Sequence, residues 1–168
     1  MKKILSVIKN SRGVTYIELL LYMALLGIFL FILTDMFISV LDVQTESQST
    51  SSIEQNARYI LARFNYDISR AEAITIPTSL GATADSLAIT INNITNTYSL
   101  NSNNLQLAIA NETNNLNDAG VKISDISFQR IGNSGGKDTV KLQFRITSKT
   151  IRSSGIESKT FQTTIGRR

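Results

Sequence analysis

The feature of this 168-residue sequence that most constrains its fold is an unbroken apolar stretch near the amino terminus. Residues 19–33 are apolar throughout, apart from Gly27. As a helix, the segment from Val14 to Thr34 would be about 30 Å long at about 1.5 Å per residue, which matches the hydrocarbon thickness of a bilayer. The stretch therefore predicts a helix that spans a membrane or lies among other helices in a filament.

The residues before this stretch are basic. Residues 1–13 contain four bases and no acid, whereas the rest of the sequence contains thirteen bases and thirteen acids, so the net charge of +4 belongs to this short leader. Basic segments favour the cytoplasmic side of a membrane. We therefore expect a single-pass protein of the inner or cytoplasmic membrane, with its amino terminus inside and its carboxy-terminal domain outside.

Glu18 stands at the start of the apolar stretch, about 6 Å along the helix from Val14. A carboxylate inside a membrane costs roughly 2.5 to 3.5 kcal/mol at the centre and less near the edge. One interpretation is that the carboxylate reaches out to the lipid headgroups. The other is a pairing site, in which cleavage after Gly13 exposes an α-amine at Val14 and Glu18 of a neighbouring subunit neutralises it.

Gly13 followed by VTYIELLLYMALLGIFL resembles the leader junction and first helix of type IV prepilins and type II secretion pseudopilins. The shared features are the short basic leader, the glycine before the junction, a glutamate at the fifth mature residue and an apolar helix that contains Gly27. In that family a prepilin peptidase cuts after the glycine and methylates the new amine. The resemblance implies cleavage between Gly13 and Val14, N-methylation of Val14, and a role for Glu18 in subunit assembly.

The chain departs from this family in two respects: Val14 stands where phenylalanine is usual, and the first helix lacks the proline common in major pilins. Two other kinds of segment, a secretory signal peptide and a plain membrane anchor, also contain an apolar stretch. A secretory signal peptide has a shorter apolar core that ends in an A-x-A-like site, which only residues 47–49 faintly resemble. A plain membrane anchor gives no reason for Glu18 or for the Gly13 junction.

Helical periodicity continues beyond the apolar stretch. Residues 42–52 are polar but contain no glycine or proline, so the helix can continue through them. Apolar residues then recur every three or four positions, which predicts one buried helical face, whereas the charged residues of this segment, such as Asp67, lie off that stripe. We expect one helix from about Val14 to about Arg70, ending before Pro77. The members of the stripe are Ile53, Ala57, Ile60, Phe64, Ile68 and Ala71.

After Pro77 the apolar period changes to two, which is typical of strands. Asparagine pairs between the segments predict turns. The fold class is therefore α+β, with the amphipathic half of the helix covering the apolar face of one antiparallel sheet. The resemblance implies the type IV pilin fold, and QNARYILARFNYDISRAEAI is similar to a segment of minor pilins and J-type pseudopilins. Strands are predicted at 86–91, 97–100, 105–110, 121–131, 139–147 and 158–165, and turns at 92–93, 101–104 and 133–136.

These patterns divide the chain into four parts. A leader at 1–13 precedes a membrane or filament-core half of the helix at 14–41. An amphipathic half at 42–74 leads into a globular β-sheet domain at 75–168.

Composition excludes most catalytic chemistry. The chain has no cysteine and no histidine, so disulfides, thiolate nucleophiles, imidazole catalysis and Cys/His zinc sites cannot form. The lysine of GNSGGKDT is followed by aspartate, so the phosphate-loop pattern fails and we interpret 132–139 as a hairpin turn. We expect no enzyme, no catalytic residue and no cofactor. Two interpretations of the oxygen-rich run 111–118 stay open, a calcium-binding loop and an ordinary polar loop.

Charge is unevenly distributed along the remaining sequence. Residues 71–120 carry four acids and no base, whereas residues 121–168 carry ten bases and three acids. Strand alternation predicts that these bases form a solvated outer face. Complementarity between subunits is one use of this asymmetry, and DNA contact is another.

The resemblance implies a minor pilin or pseudopilin, a structural subunit of a type IV pilus or a type II secretion pseudopilus. Its expected partners are other pilin or pseudopilin subunits, prepilin peptidase, the membrane and the inner-membrane assembly platform. The alternative is a membrane-anchored binding module, such as an adhesin or a DNA-capture domain, that does not polymerise.

Overall fold

The computed structural model describes residues 13–132 and 135–168. The predicted leader, apart from Gly13, and two positions of the predicted 133–136 turn lie outside the described residues. The chain divides between Leu41 and Asp42 into two compact units.

A single helix, α1, extends from Tyr16 to Arg70 over 55 residues. Thr15 caps its start, because the Thr15 hydroxyl accepts a hydrogen bond from the backbone N–H of Glu18 at 3.3 Å. The prediction of one long helix ending near Arg70 is confirmed. It ends there because the chain then joins a sheet: the N–H of Glu72 donates to the carbonyl of Thr90 at 2.8 Å.

Within the described residues, nine strands follow the helix, including the six predicted ones, although their ends shift by up to several residues. Three short strands were not predicted. One lies just before Pro77, and its first two residues fall in the segment 42–74 that was predicted to be the amphipathic half of the helix. The other two lie at 83–84 and 112–115. The strands are β1 (Ala73–Ile76), β2 (Thr83–Ala84), β3 (Leu87–Ile91), β4 (Ile94–Asn101), β5 (Asn104–Ile109), β6 (Glu112–Asn115), β7 (Val121–Ile131), β8 (Thr139–Arg152) and β9 (Gly155–Gly166).

The strands form two antiparallel sheets, so the prediction of one sheet is wrong. The first sheet has the order β1-β3-β4-β5-β6 and the second has the order β2-β7-β8-β9. The chain leaves the edge strand β6 and starts a new sheet at β7 instead of extending the first one. Periodicity identifies which face of a strand is buried but not which strand lies beside it, so the sequence pattern could not separate the two sheets.

Asparagine turns connect the central strands of the first sheet, as predicted. Asn92 and Asn93 have φ values of 52° and 61°, and Ser102 and Asn103 have values of 49° and 64°. Two successive positive values are typical of the two-residue hairpin turn that matches strand twist, and asparagine tolerates this conformation.

The hydrophobic core lies between the second part of α1 and both sheets. All six residues of the predicted helical stripe are buried, which confirms it. The ring of Phe64 lies 4.4 Å from the ring of Tyr98 in β4 and 5.6 Å from that of Phe128 in β7, measured between centroids. One helical side chain therefore contacts both sheets. The predicted inward residues of β8 are also buried: Val140, Leu142, Phe144 and Ile146.

Helix α1 runs parallel to β9, the edge strand of the second sheet. Glu54 pairs with Lys159 of β9 at 3.2 Å, and two residues beyond the end of β9 the N–H of Arg168 donates to the carbonyl of Ser69, near the end of α1, at 3.3 Å. The order of these contacts is the same along the helix and along the strand. An exposed edge strand can pair with a strand of another chain. At the edge strand β9, the neighbouring element is helix α1.

Candidate functional site

The first unit exposes its apolar side chains. Val14, Ile17 and Phe31 are 65%, 76% and 76% exposed, and the other large apolar residues up to Leu41 are similarly uncovered. Within the described residues, α1 is the one helix long and apolar enough to cross a membrane. An apolar surface of this extent requires lipid or protein to cover it.

Two hydroxyl side chains along this surface form hydrogen bonds within the helix itself. The Thr34 hydroxyl donates to the carbonyl of Leu30 at 2.8 Å, and the Ser39 hydroxyl donates to that of Asp35 at 3.0 Å. Hydroxyl groups bonded in this way do not need water, which suits a helix surrounded by lipid or by other helices.

Glu18 lies in the first turn of α1, one turn beyond Val14. The Tyr22 hydroxyl donates a hydrogen bond to its carboxylate at 3.1 Å, on the exposed surface of the helix. Within residues 13–132 and 135–168, no ion pair involves Glu18. The carboxylate is therefore held by a neutral donor and is available to a cation from outside the described chain.

Thr15 and Glu18 have the spacing of a capping box, which the sequence analysis missed. In that motif a threonine caps the helix and a glutamate three residues later reaches back to the backbone. Here the backbone half of the motif is present, but the Glu18 carboxylate binds Tyr22 instead of the backbone. The T-x-x-E pattern ahead of the apolar run was the signal that could have revealed it. Helix capping is therefore a competing explanation for Glu18.

The packing of the chain does not explain the two glycines of the amino-terminal segment. A Cβ placed on Gly13 or on Gly27 would meet no described atom within 4 Å. In the helix, glycine is about 1 kcal/mol less favourable than alanine, so Gly27 weakens α1 without a packing benefit inside this chain. Among the described residues, no atom packed against Gly13 or Gly27 requires a glycine at either position.

The predicted solvated face of bases is wrong for several residues. The side chains of Arg130, Arg152 and Arg167 are only 18%, 11% and 21% exposed. Arg152 pairs with Glu46 of α1 at 3.2 Å, so this base is neutralised within its own chain. Among the described residues, five of the ten bases in 121–168 form ion pairs: Arg130, Arg145, Arg152, Lys159 and Arg167.

The run 111–118 is partly strand, since Glu112–Asn115 forms β6. Its last two residues have structural roles. The Asn117 side-chain oxygen accepts from the backbone N–H of Leu105 at 2.8 Å, and the N–H of Asp118 donates to the side-chain oxygen of Asn56 at 2.9 Å. These amide and backbone contacts attach the segment to β5 and to α1.

A buried polar cluster connects α1 to the first sheet, and the sequence analysis did not identify it. Asp67, which was placed off the buried stripe, is only 2% exposed. It accepts hydrogen bonds from the Tyr98 hydroxyl and from Nε of Arg63, the latter at 2.9 Å. Burial, followed by the hydrogen bond to Asp67, raises the pKa of Tyr98 above its ordinary value. A neutral phenol beside a paired carboxylate suits a structural contact.

Comparison with known proteins adds no relative. No family model matches this chain, and no curated protein or solved structure matches it significantly. Any functional assignment therefore depends on the residues and geometry of the chain itself.

Proposed function

We propose that this protein is a minor pilin or pseudopilin, a structural subunit of a type IV pilus or a type II secretion pseudopilus. In this proposal, prepilin peptidase removes residues 1–13 and methylates Val14. The subunit waits in the inner or cytoplasmic membrane and then joins a filament through α1, with help from the inner-membrane assembly platform. The fold would be the type IV pilin fold, for which a long helix packed on antiparallel sheets is the supporting evidence.

The observation that carries the proposal is the position of Glu18. It lies one turn beyond Val14, with no ionic partner among the described residues, at the start of a helix segment whose apolar surface is exposed. A cationic amine on the Val14 of an adjacent subunit would supply the missing partner. At 4 Å and an effective dielectric constant near 20, such a pair attracts by roughly 4 kcal/mol, enough to help set the register between subunits.

The competing capping explanation allows a sharp test. Glutamine also serves at the third position of a capping box, so Glu18→Gln retains that function and removes only the charge. Glu18→Asp retains the charge on a shorter side chain. We expect filament incorporation in the native host to be lost in Glu18→Gln and largely retained in Glu18→Asp, with membrane insertion and leader cleavage normal in both.

Incorporation of Glu18→Gln at the wild-type level would contradict the pairing role. Thr15→Ala serves as the matched control, since it removes the cap but leaves the carboxylate in place. If Thr15→Ala impairs assembly while Glu18→Gln assembles normally, helix capping rather than charge explains the site.

The rival function, a membrane-anchored module that never polymerises, accounts for the exposed apolar segment equally well. It does not require processing at Gly13. Mass spectrometry of the mature amino terminus separates the two: a methylated Val14 supports the pilin proposal, whereas a retained Met1 supports the anchored module.

A further inference from the structure

Four residues of α1 form a stripe along the surface of the second unit. Tyrosine and arginine alternate in it at spacings of four, three and four residues, which place the side chains on one side of a helix. Both tyrosines are more than half exposed. Tyrosine and arginine are among the residues that contribute most to binding at protein interfaces. The Tyr/Arg stripe consists of Tyr59, Arg63, Tyr66 and Arg70.

The last member of the Tyr/Arg stripe is a cation without an acidic partner. Among the ion pairs of the described residues, none includes Arg70. Its guanidinium carbon lies 4.8 Å from the centroid of the Tyr66 ring, and the guanidinium donates a hydrogen bond to the Tyr66 hydroxyl. Arg63, by contrast, pairs with the buried Asp67. An acid that approaches the stripe therefore meets the strongest attraction at Arg70.

Earlier in its sequence, α1 carries a second stripe with identical spacing and complementary chemistry. An aromatic residue, an acid, an aliphatic residue and a second acid follow one another at spacings of four, three and four. Within residues 13–132 and 135–168, neither acid forms an ion pair. The two apolar members are more than half exposed. The acidic stripe consists of Phe31, Asp35, Ile38 and Asp42.

A shift of 28 residues brings the two stripes together member by member. It equals four heptads, or about 42 Å along the helix axis, so equivalent positions of two parallel helices meet. Asp35 and Asp42 are the only acids of α1 that lie seven positions apart. Arg63 and Arg70 have the same separation, so no other parallel shift places acids of α1 opposite both of them. The resulting pairs are Phe31 with Tyr59, Asp35 with Arg63, Ile38 with Tyr66, and Asp42 with Arg70.

We propose that the Tyr/Arg stripe docks against the acidic stripe of a second copy of this chain, with the two helices parallel and shifted by 28 residues. The inference rests on the proposed function, because subunits of a filament share one orientation. It adds that copies of this chain are direct neighbours in the filament. A second copy is favoured because its charges and spacing complement the stripe, and opposed charges fix the register between partners. The contact also covers part of the exposed apolar surface of the first unit.

The absence of cysteine from the sequence permits disulfide crosslinking at chosen positions. The full chain with Phe31→Cys and Tyr59→Cys is expressed in the native host, and the filament fraction is treated with a mild oxidant. A disulfide requires Cα atoms within about 7 Å, so we expect a ladder of crosslinked copies on a non-reducing gel. The matched control combines Phe31→Cys with Tyr66→Cys. These positions lie on the same two stripes but about 10.5 Å out of register, so the control should give no ladder.

A charge exchange tests the ion pair separately. Arg70→Asp should cause loss of the chain from the filament fraction, and the combination of Arg70→Asp with Asp42→Arg should restore it. No recovery in the combined variant would overturn the pairing of these two side chains.

The crosslinking result separates this inference from the proposed function. A ladder at positions 31 and 59 alone supports the shifted contact. A ladder in the control alone, in both variants or in neither overturns it, and the proposed function stands as long as the wild-type chain is present in the filament fraction. Absence of the wild-type chain from that fraction contradicts the proposed function itself.

Discussion

The hydroxyl of Tyr98 donates a hydrogen bond to the carboxylate of Asp67, although 31 positions separate the two residues. Both are almost completely buried, and the Phe64 ring lies against Tyr98. This polar contact inside an apolar core ties α1 to the first sheet at a defined register.

Replacing Tyr98 by phenylalanine should destabilise the fold. The ring and its contact with Phe64 remain, but the buried Asp67 carboxylate loses a donor, which costs about 1 to 3 kcal/mol. Urea unfolding of the full chain in detergent, followed by circular dichroism, measures the loss. Tyr59→Phe is the matched control because Tyr59, on the helix that carries Asp67, is 56% exposed. The urea midpoint of this variant should equal that of the wild type. Equal midpoints for both variants would contradict a structural role for this hydrogen bond.

Stability should also fall at alkaline pH because of Tyr98. Burial raises the pKa of Tyr98 above its ordinary value of 10.0, so above about pH 10 the unfolded chain releases a proton that the folded chain keeps. The free energy of unfolding that this raised pKa contributes is fully present below the pKa of the unfolded chain. It is lost as the pH rises from the pKa of the unfolded chain towards that of the folded chain, by about 1.4 kcal/mol per pH unit. The stability difference between wild type and Tyr98→Phe should therefore narrow between about pH 9 and about pH 11. A constant difference over that interval would be inconsistent with a raised pKa.

Much of the secondary structure could be predicted, because it follows from local periodicity. The stripe from Ile53 to Ala71 and the alternation of β8 each reflect one buried face. The polar contacts could not be predicted in the same way. Asp67 carries a charge, and its burial depends on Tyr98 and Arg63, one of which is distant in sequence. The division into two sheets could not be predicted, because periodicity shows which face of a strand is buried but not which strands are its neighbours.

The sequence identified the main residue of the candidate site, but it did not predict the contacts that this residue makes. Glu18 stands out because an acid beside an apolar run is costly. Its actual partner, the Tyr22 hydroxyl one turn later, was overlooked because tyrosine was counted only as part of the apolar stretch. The pairing of Arg152 with Glu46 was unforeseen since 106 positions separate the two residues.

Truncation of Phe64 should loosen both sheets together. Phe64→Ala removes a fully buried ring that contacts Tyr98 and Phe128, which costs about 3 to 5 kcal/mol. Native-state hydrogen exchange should show faster exchange in β4 and in β7. Tyr59→Ala controls for loss of an aromatic ring on the same helix and should leave both strands protected. Faster exchange in only one sheet would argue against a shared contact.

Arg130→Lys should destabilise the connection between α1 and β2. The two terminal nitrogens of this guanidinium hold a carboxylate and several carbonyls at once, which a single ammonium group cannot reproduce. We expect a loss of about 1.5 to 3 kcal/mol in urea unfolding. The acceptors are Asp138 at 2.7 Å and the carbonyls of Ile74, Pro77 and Thr78 at 3.0, 3.2 and 2.9 Å.

The matched control for that change is Arg145→Lys. Arg145 pairs with Asp125 at 3.0 Å, but both side chains are at least half exposed. Exposed pairs contribute little, so this variant should unfold at the wild-type midpoint. A comparable loss in the two variants would mean that the buried acceptors of Arg130 contribute nothing beyond ordinary surface pairing.

The parallel course of α1 and β9 has a consequence for synthesis. Lys159 is translated 105 residues after its ionic partner Glu54. While the ribosome is adding those residues, the nascent helix must display its apolar stripe without the complete second sheet that will pack against it. Contacts between positions that are far apart in sequence slow folding and prolong the exposure of apolar, aggregation-prone surface. A chain of this design should therefore depend on a holding chaperone until β9 has emerged.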